Sequence, residues 1–341
     1  MWKRIAPAVG LFFLAPIVAE FLLGNLPVTM LIALTALAPM YGGAAVLIRE
    51  IARRRALGWP GIVLLGLAFA LAQEAFVTRS LFDPDYAGAR PLDYGYLPAL
   101  GIGAWWTVFV LSLHVVWSIV VPIALVEGLN ARRADTPWLG RIGLAVTGVL
   151  FALGLVLAAS YAGFYTPSPW QLAGAGAAVI ALVVAALRSA ARAERARAAD
   201  GRPAPGPWTA GAAALVAGSV FWLGAMFIDV LDVVPGTVMA LVYLALGAGT
   251  AATVVRWSRR AGWDARHRTA LAAGALLVYA WHGFPQPPAV PVPPAVDLAG
   301  NTVLALGAVI LAVAAVRRAG RAADARPAGP GAPPAPAVHA R

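Results

Sequence analysis

Residues 58–86 read GWPGIVLLGLAFALAQEAFVTRSLFDPDY, and this stretch decides the fold. It begins as an apolar run that approaches the ~20 residues needed to cross a bilayer. The run then places Gln73, Glu74, Thr78 and Arg79 inside the predicted membrane segment. A charged side chain at bilayer depth costs about 2.5–3.5 kcal/mol or more, so such residues usually face a helix bundle and find a partner there. The stretch therefore predicts a membrane helix that carries a polar site.

The composition of the whole chain extends this interpretation. The 341 residues are 61% hydrophobic, and only 12% are charged, about half the ~25% typical of soluble domains. Several other apolar stretches are as long as the first, and the alternating pattern of a membrane barrel is absent. The fold class is therefore predicted as all-α: a polytopic transmembrane helical bundle in a lipid bilayer.

The apolar stretches predict about ten spans. Their boundaries are 5–24, 28–49, 60–81, 102–126, 139–161, 171–188, 208–228, 234–255, 269–283 and 299–316. We expect one transmembrane domain over residues 1–318. Its first part, 1–130, carries most of the polar membrane residues, whereas 131–318 is an apolar scaffold.

Two segments outside the spans are distinctive in composition. Residues 189–207 contain several arginines, alanines and prolines, which predicts a cytoplasmic linker. Residues 319–341 are rich in Ala, Pro and Arg, and they predict a disordered cytoplasmic tail.

The basic residues predict the orientation. Of the 26 Lys and Arg residues, 24 fall at the N-terminus, in loops after even-numbered spans, or in the tail, whereas only Arg79 and Arg90 fall with the odd-numbered loops. Cytoplasmic loops carry the excess of Lys and Arg, so both termini are predicted to be cytoplasmic. The net charge of +11 then reflects topology, and no nucleic-acid partner is expected. Arg outnumbers Lys 25 to 1, a bias typical of high-GC bacteria, which indicates a multi-pass protein of a bacterial plasma membrane.

This orientation brings several polar residues toward the outer half of the first four spans. We predict that they form a binding cluster. Its members are Glu20, Asn25, Gln73, Glu74, Thr78, Arg79, His114 and Ser118. The alternative is a structural ion pair, in which Arg79 neutralises Glu20 or Glu74 and fixes helix packing. The chain has no cysteine and no spaced metal-ligand motif, so we expect neither a metal nor a cofactor.

Two further features concern the second and fourth spans. Pro39, Gly42 and Gly43 lie well inside the second span, where they predict either a broken helix that lines a cavity or, preferably, a kink packed on small neighbours. At the inner ends of the spans, Arg49, Glu50 and Glu127 predict interfacial ion pairing and snorkelling.

Gln73, Glu74 and Arg79 resemble the EExxxR signature of the CAAX-protease-like intramembrane metalloproteases. The resemblance implies an intramembrane hydrolase whose active site combines a Glu pair, an Arg and histidines of later helices. The first Glu is replaced by Gln73, and Arg79 falls five rather than four residues after Glu74. The histidine patterns of that family are not met at His114 or His282.

The leading functional prediction is a membrane protein that binds or translocates a small molecule, ion or lipid through a polar pocket in spans one to four. Two alternatives stay open at this point. One is an intramembrane hydrolase that uses Glu74 and His114, and the other is a non-catalytic membrane scaffold.

The predicted orientation can be tested with reporter fusions. A reporter that works only in the cytoplasm should be active when fused to the C-terminal tail and inactive when inserted at Arg90. A reporter that works only outside the cytoplasm should show the opposite pattern. Both results are expected because the basic residues divide 24 to 2 between the two sets of loops. An extracytoplasmic tail or a cytoplasmic Arg90 would refute this topology.

Overall fold

The chain is described by a computed structural model over residues 2–161, 163, 165–189, 200–228 and 233–325. Within these ranges it forms ten long helices. They are α1 (Arg4–Leu22), α2 (Val28–Arg54), α3 (Gly58–Val77), α4 (Ala104–Leu129), α5 (Arg141–Tyr161), α6 (Pro169–Arg188), α7 (Pro207–Met226), α8 (Gly236–Ser258), α9 (Ala265–His282) and α10 (Pro294–Asp324). Nine of them are long and apolar enough to cross a membrane. The exception is α9, because its first turn carries Arg266, His267 and Arg268.

The remaining elements are short. A two-residue hairpin pairs β1 (Tyr96–Leu97) with β2 (Ile102–Gly103) in the loop after α3. A second small ladder pairs β3 (Asp200–Pro203) in parallel with β4 (Arg260–Ala261). Turns of 3₁₀ helix occur at Val28–Ala33, Tyr86–Gly88 and Ala131–Arg133.

The predicted all-α transmembrane bundle is confirmed, with differences at the helix ends. The last helix continues to Asp324, so the first residues of the segment predicted as a disordered tail are helical. The remainder of that tail, residues 326–341, lies outside the described residues, as do residues 190–199 of the predicted linker. The described end of the linker forms β3 and then leads into α7.

The loops after α1, α3, α5, α7 and α9 meet at one face of the bundle, which we call the outer face. Hydrogen bonds join them in pairs. These are Arg79 to the carbonyl of Gly163 at 2.8 Å, Tyr94 Oη to the carbonyl of Val234 at 2.6 Å, and the amide of Ala289 to the carbonyl of Asn25 at 2.9 Å.

The loops after the even-numbered helices meet at the opposite, inner face together with the helix ends there. Their contacts are Arg133 to the carbonyl of Arg4, Ser189 to the carbonyl of Leu57, Arg266 to Asp324, and the β3–β4 ladder. Successive loops therefore alternate between the two faces. It follows that all ten helices run from face to face, including the more polar α9.

Burial separates a core from a periphery. In the most apolar windows of α1–α4, 50 to 61% of the residues are buried, against 11 to 17% in α5–α8. Helix α9 is the central helix of the second part, because residues along nearly its whole length are buried. The core thus consists of α1–α4 and α9, while α5–α8 expose rows of Val, Leu and Ile to the surrounding lipid.

Each of the four core helices α1–α4 contains a π-helical segment, in which the backbone bulges by one residue. The segments are Ile17–Leu22, Ala38–Gly42, Gln73–Val77 and His114–Val120. Proline accounts for part of this, because Pro16, Pro39 and Pro122 lie in or beside three of the segments and lack the amide that an α-helix requires. Such bulges are rare and occur frequently at functional sites.

The second helix is continuous through Pro39, although its first turns are 3₁₀ helix with non-helical backbone angles at Met30. It runs from Val28 to Arg54 through the π segment at Ala38–Gly42. A methyl group added to Gly42 would overlap the backbone of Phe12, and one added to Gly154 would overlap the chain at Pro39. The glycines therefore serve close helix packing, as expected for a kink rather than a break.

Asp264 caps the inner end of α9. Its carboxylate accepts the amide of Arg266 at 2.8 Å and the Arg266 side chain at 2.8 Å. Burial acts to raise the pKa of Asp264, but hydrogen bonds from His267 and Arg266 outweigh it and hold the pKa below its usual value. A carboxylate with a lowered folded-state pKa stabilises the protein above the pKa of the unfolded state, and that contribution is lost as the pH falls.

Asp264→Ala should therefore destabilise the protein by about 1 kcal/mol at pH 7. The difference from wild type should shrink below about pH 4, where the unfolded-state carboxyl binds its proton. Thermal unfolding midpoints at pH 7 and pH 3.5 provide the measurement. Asp93→Ala is the control, because its ion pair with Arg90 is exposed and contributes little. An Asp264→Ala difference that does not change with pH would contradict this account.

Candidate functional site

The four π segments lie in the part of α1–α4 that approaches the outer face, and each of them carries polar side chains toward a common region. We call this region the polar cluster. It comprises Glu20, Asn25, Tyr41, Gln73, Glu74, Thr78, Ser80, Trp106, His114 and Ser118. Each bulge adds one residue to its helical turn. A side chain that would point elsewhere in an unbroken α-helix is thereby directed toward the bundle.

Glu74 is the most densely bonded member. It is 3% exposed, and its Oε1 lies 2.6 Å from His114 Nε2. Its Oε2 accepts the hydroxyls of Thr78, at 2.9 Å, and Ser80. Both carboxylate oxygens therefore have partners, as a buried carboxylate requires.

Two further hydrogen bonds extend this part of the cluster. The indole of Trp106 donates to Ser80 Oγ at 3.0 Å, which holds the hydroxyl in place against the Glu74 carboxylate. On the other side, His114 Nδ1 lies 3.3 Å from Ser118 Oγ, one turn along α4. Protein groups thus contact both ring nitrogens of His114.

A second chain of hydrogen bonds joins α1, α2 and α3. Glu20 accepts the side-chain amide of Asn25 at 2.6 Å and the hydroxyl of Tyr41 at 2.7 Å. The same hydroxyl accepts Gln73 Nε2 at 3.2 Å. The ring of Tyr41 stacks on the ring of His114, with centroids 5.7 Å apart, and so connects the two parts of the cluster.

Gln73 has one atom without a partner. Its side chain is 2% exposed, and Oε1 accepts no hydrogen bond among the described residues. A buried carbonyl left in this state costs about 1–3 kcal/mol. The cluster therefore contains an acceptor that is available to a ligand.

The charges of the cluster do not balance within the described chain. It holds two carboxylates, those of Glu20 and Glu74, and one histidine, while no Arg or Lys pairs with any member. Glu20 is partly buried and bonded only to the neutral groups of Asn25 and Tyr41. The two acidic side chains of the cluster thus outnumber its single basic side chain, that of His114.

Arg79, predicted as a member or as an ion-pair partner, lies apart from the cluster. Helix α3 ends at Val77, and Arg79 takes a left-handed conformation with φ +61°. Its guanidinium turns away to donate to the carbonyls of Gly163 and Tyr165, beside an open cavity of about 600 Å³ at the outer face. The structural ion pair with Glu20 or Glu74 is therefore wrong, because the chain reverses before the guanidinium can reach them.

The other seven predicted residues are brought together, and the structure adds Tyr41, Ser80 and Trp106. Tyr41 lies in the APMYGG segment, which the sequence marked as a bend without assigning its hydroxyl a role. Ser80 directly follows Arg79, beyond the end of the helix, where spacing rules no longer apply. Only the position of Tyr41 next to a proline-induced bend could have indicated it beforehand.

The second histidine does not join the cluster. His282 lies at the outer end of α9, 1% exposed, with its ring centroid 3.8 Å from that of Trp222. Across the described ranges, no three His, Asp or Glu side chains are grouped so that they could hold a metal ion. The constellation implied by the resemblance to intramembrane metalloproteases is thus not assembled by these residues.

A separate network of charges lies at the inner face. Arg49 is completely buried, and it bonds Glu127 Oε1 at 3.0 Å, Glu50 Oε1 at 2.9 Å and the carbonyl of Ala134 at 2.7 Å. Its guanidinium also stacks on the ring of Trp138 at 3.5 Å. These contacts fasten the loop after α4 to α2.

Other residues complete this inner network. Arg53 donates to both oxygens of Glu127, and the amides of Trp138 and Leu139 donate to Glu50. The ion pairing predicted for this region is confirmed, whereas snorkelling is wrong for Arg49 and Glu50, because both are 0% exposed. A bidentate guanidinium, rather than an ammonium, suits this arrangement.

The fold and its buried polar groups define an integral, multi-pass membrane protein of α-helical type. A family model described as an uncharacterized membrane protein family matches residues 10–323, and the chain belongs to this family. The matched region includes the whole polar cluster and the inner network. No curated protein and no solved structure matches the chain.

The two networks should respond differently to loss of a carboxylate. Glu127→Gln leaves the buried Arg49 without one of its two counter-charges and should cost roughly 3–5 kcal/mol. Glu74→Gln removes no partner of an Arg and should cost at most about 1.5–3 kcal/mol, the range for a hydrogen bond to a charged group. Unfolding midpoints of both variants in detergent, with Asp93→Asn as control, provide the comparison. A larger loss for Glu74→Gln would show that the polar cluster, not the inner network, is the stronger structural element.

Proposed function

We propose that this protein, placed in a bacterial plasma membrane with both termini cytoplasmic, binds a small solute or ion at the polar cluster and moves it from the outer face. The observation that carries the proposal is the incomplete pairing of the cluster. A buried acceptor on Gln73 and a carboxylate on Glu20 without a cationic partner are costly to keep in a membrane interior. Such groups are retained where a ligand completes them.

The location of the cluster supports access from the outer face. Asn25 and Thr78 are partly exposed and lie at the outer ends of α1 and α3. Beneath them, Gln73, Glu74 and His114 are buried. This gradient, from partly exposed to buried groups along two chains of hydrogen bonds, is suited to a solute that enters from that face.

The two alternatives fit the geometry less well. For a metal-dependent hydrolase, Glu74 and His114 supply two ligands, and the described residues bring no third. In a scaffold, each buried charged group would be expected to have a partner of opposite charge, as in the inner network. Of the two networks, the polar cluster is the one with an open acceptor and unbalanced charge.

Accessibility to thiol reagents tests the proposal, and the natural absence of cysteine provides a clean background. Thr78→Cys, introduced beside Glu74, should react in intact cells with a membrane-impermeant cationic methanethiosulfonate. The reaction should be at least about tenfold faster than with an anionic reagent of the same size, since ~1.4 kcal/mol of local potential corresponds to a factor of ten.

Two single-cysteine controls bracket the measurement. Thr147→Cys lies buried in α5 among apolar residues and should not react, whereas Ser160→Cys lies exposed at the outer end of α5 and should react with both reagents. Protection of Thr78→Cys equal to that of Thr147→Cys would mean that the cluster is closed to water. The proposed function would then be wrong, and the scaffold alternative would replace it.

A further inference from the structure

We infer that the open cavity beside Arg79 binds the phosphate group of a lipid in the leaflet at the outer face. The site is separate from the polar cluster, because no member of the cluster lines this cavity. It therefore stands or falls independently of the proposed function. Three features indicate it: an open edge of one guanidinium, a cavity that this guanidinium lines, and lipid-facing helices around that cavity.

The backbone directs the Arg79 side chain toward the cavity. Arg79 lies two residues beyond the end of α3, in the left-handed region at φ +61°. Its carbonyl accepts the amides of Phe82 at 2.9 Å and Asp83 at 3.0 Å, which hold the chain in this reversal. The left-handed conformation is unfavourable for an arginine, and residues kept in such conformations cluster at ligand sites.

The guanidinium of Arg79 keeps its bidentate edge open. Nη1 donates to the carbonyls of Gly163 at 2.8 Å and Tyr165 at 3.3 Å. Nε and Nη2 donate to no group in the part of the chain that the structure describes. At the inner face, Arg53 uses this same pair of nitrogens to bind the two oxygens of Glu127. Phosphate offers a guanidinium the same two-oxygen geometry.

No carboxylate of the described residues forms an ion pair with Arg79. Asp83 is the acidic residue close to the cavity wall, because it interacts electrostatically with Tyr165. Its carboxylate accepts the amide of Asp85 at 3.0 Å instead of pairing with Arg79. A guanidinium stays charged in proteins, so the positive charge of Arg79 is left for an anion from outside the chain.

The cavity has room for a headgroup, with a volume of about 600 Å³. Its wall combines the single charge of Arg79 with hydroxyl-bearing and apolar side chains, a combination that suits an amphipathic anion. These side chains come from the end of α3, the end of α5 and the start of α6, and they include Phe76, Ser160, Tyr161, Thr166 and Leu172.

The surroundings of the cavity favour a lipid as the source of the phosphate. Helices α5 and α6 are peripheral, with only 11% of the residues in their most apolar windows buried. Phe76 is 39% exposed and Tyr161 is 79% exposed. The cavity lies at the helix ends, which is the level of the lipid headgroups and of interfacial tyrosines. A lipid phosphate at this level can reach Arg79 by lateral diffusion.

The unfolding equilibrium of the full-length protein in a nonionic detergent provides the test. The probes are dihexanoylphosphatidylglycerol, dihexanoylglycerol, which lacks the phosphate, and inorganic phosphate, all at constant ionic strength. A ligand bound only by the folded state should lower the unfolding equilibrium constant about 100-fold at 100 times Kd. We expect this saturable effect from the phospholipid and no effect from dihexanoylglycerol.

Two variants locate the response. Arg79→Gln removes the charge and should abolish the phospholipid effect. Thr166→Glu adds a carboxylate to the wall of the same cavity, where it can pair with Arg79, and it should abolish the effect with Arg79 still present. Thr166→Gln is its neutral match and should respond as wild type does. Arg90→Gln removes the other basic residue of the outer loops, whose ion pair with Asp93 is exposed, and it should also respond as wild type.

A phospholipid effect that persists in both Arg79→Gln and Thr166→Glu would overturn the inference. So would equal effects of the phospholipid and dihexanoylglycerol, no effect of the phospholipid, or an equal loss in Arg90→Gln. An effect of inorganic phosphate without one of the phospholipid would refute the lipid source and leave a site for free phosphate. If Arg79→Gln does not fold, the comparison of Thr166→Glu with Thr166→Gln decides the question.

Discussion

Hydrocarbon offers no hydrogen bonds, and every polar group inside this bundle must therefore find its partner in the chain. The structure meets this constraint in two ways at its two ends. At the inner face, Arg49 is completely buried and bonded to two carboxylates and to backbone carbonyls. At the outer face, the same constraint is met incompletely, because Gln73 keeps an unpaired acceptor and Glu20 has only neutral donors. The contrast within one fold is what separates a structural charge network from a candidate site.

The fold could be predicted from the sequence to a large extent. Long apolar runs and the alternation of basic loops specify helices that cross the membrane in turn, and the contacts of the loops at two faces agree with that order. The predicted positions of the helix ends were less accurate, because hydropathy does not mark the residue at which a helix ends. Helix α10 continues as an amphipathic extension to Asp324, well past its apolar part. The central position of α9 was not predictable from hydropathy, since its arginines make it the least apolar of the ten helices.

The candidate site could be predicted only in part. The cost of a buried charge directed attention to Glu74, which lies buried against His114, but it gave no way to choose the hydrogen-bond partners. Arg79 was placed with them because the third span was predicted to continue to residue 81, whereas the helix ends at Val77 and the backbone has turned to positive φ at Arg79. Tyr41 was missed because a tyrosine in a membrane helix carries no charge penalty. Regular spacing rules also fail at a π segment, which changes the face on which later residues lie.

The four π segments have a further consequence for the architecture of the core. An extra residue within a helix offsets everything beyond it by roughly 100° about the helix axis. Each of α1–α4 therefore consists of two helical parts, one toward the inner face and one toward the outer face. The residues that pack against neighbouring helices in the inner part lie on a different side of the helix from those that pack in the outer part. Within α1–α4, the core can therefore be described as two stacked layers that pack through different helix faces. The boundary between the two layers is the level at which the polar cluster lies, and the Arg49 network belongs to the inner layer.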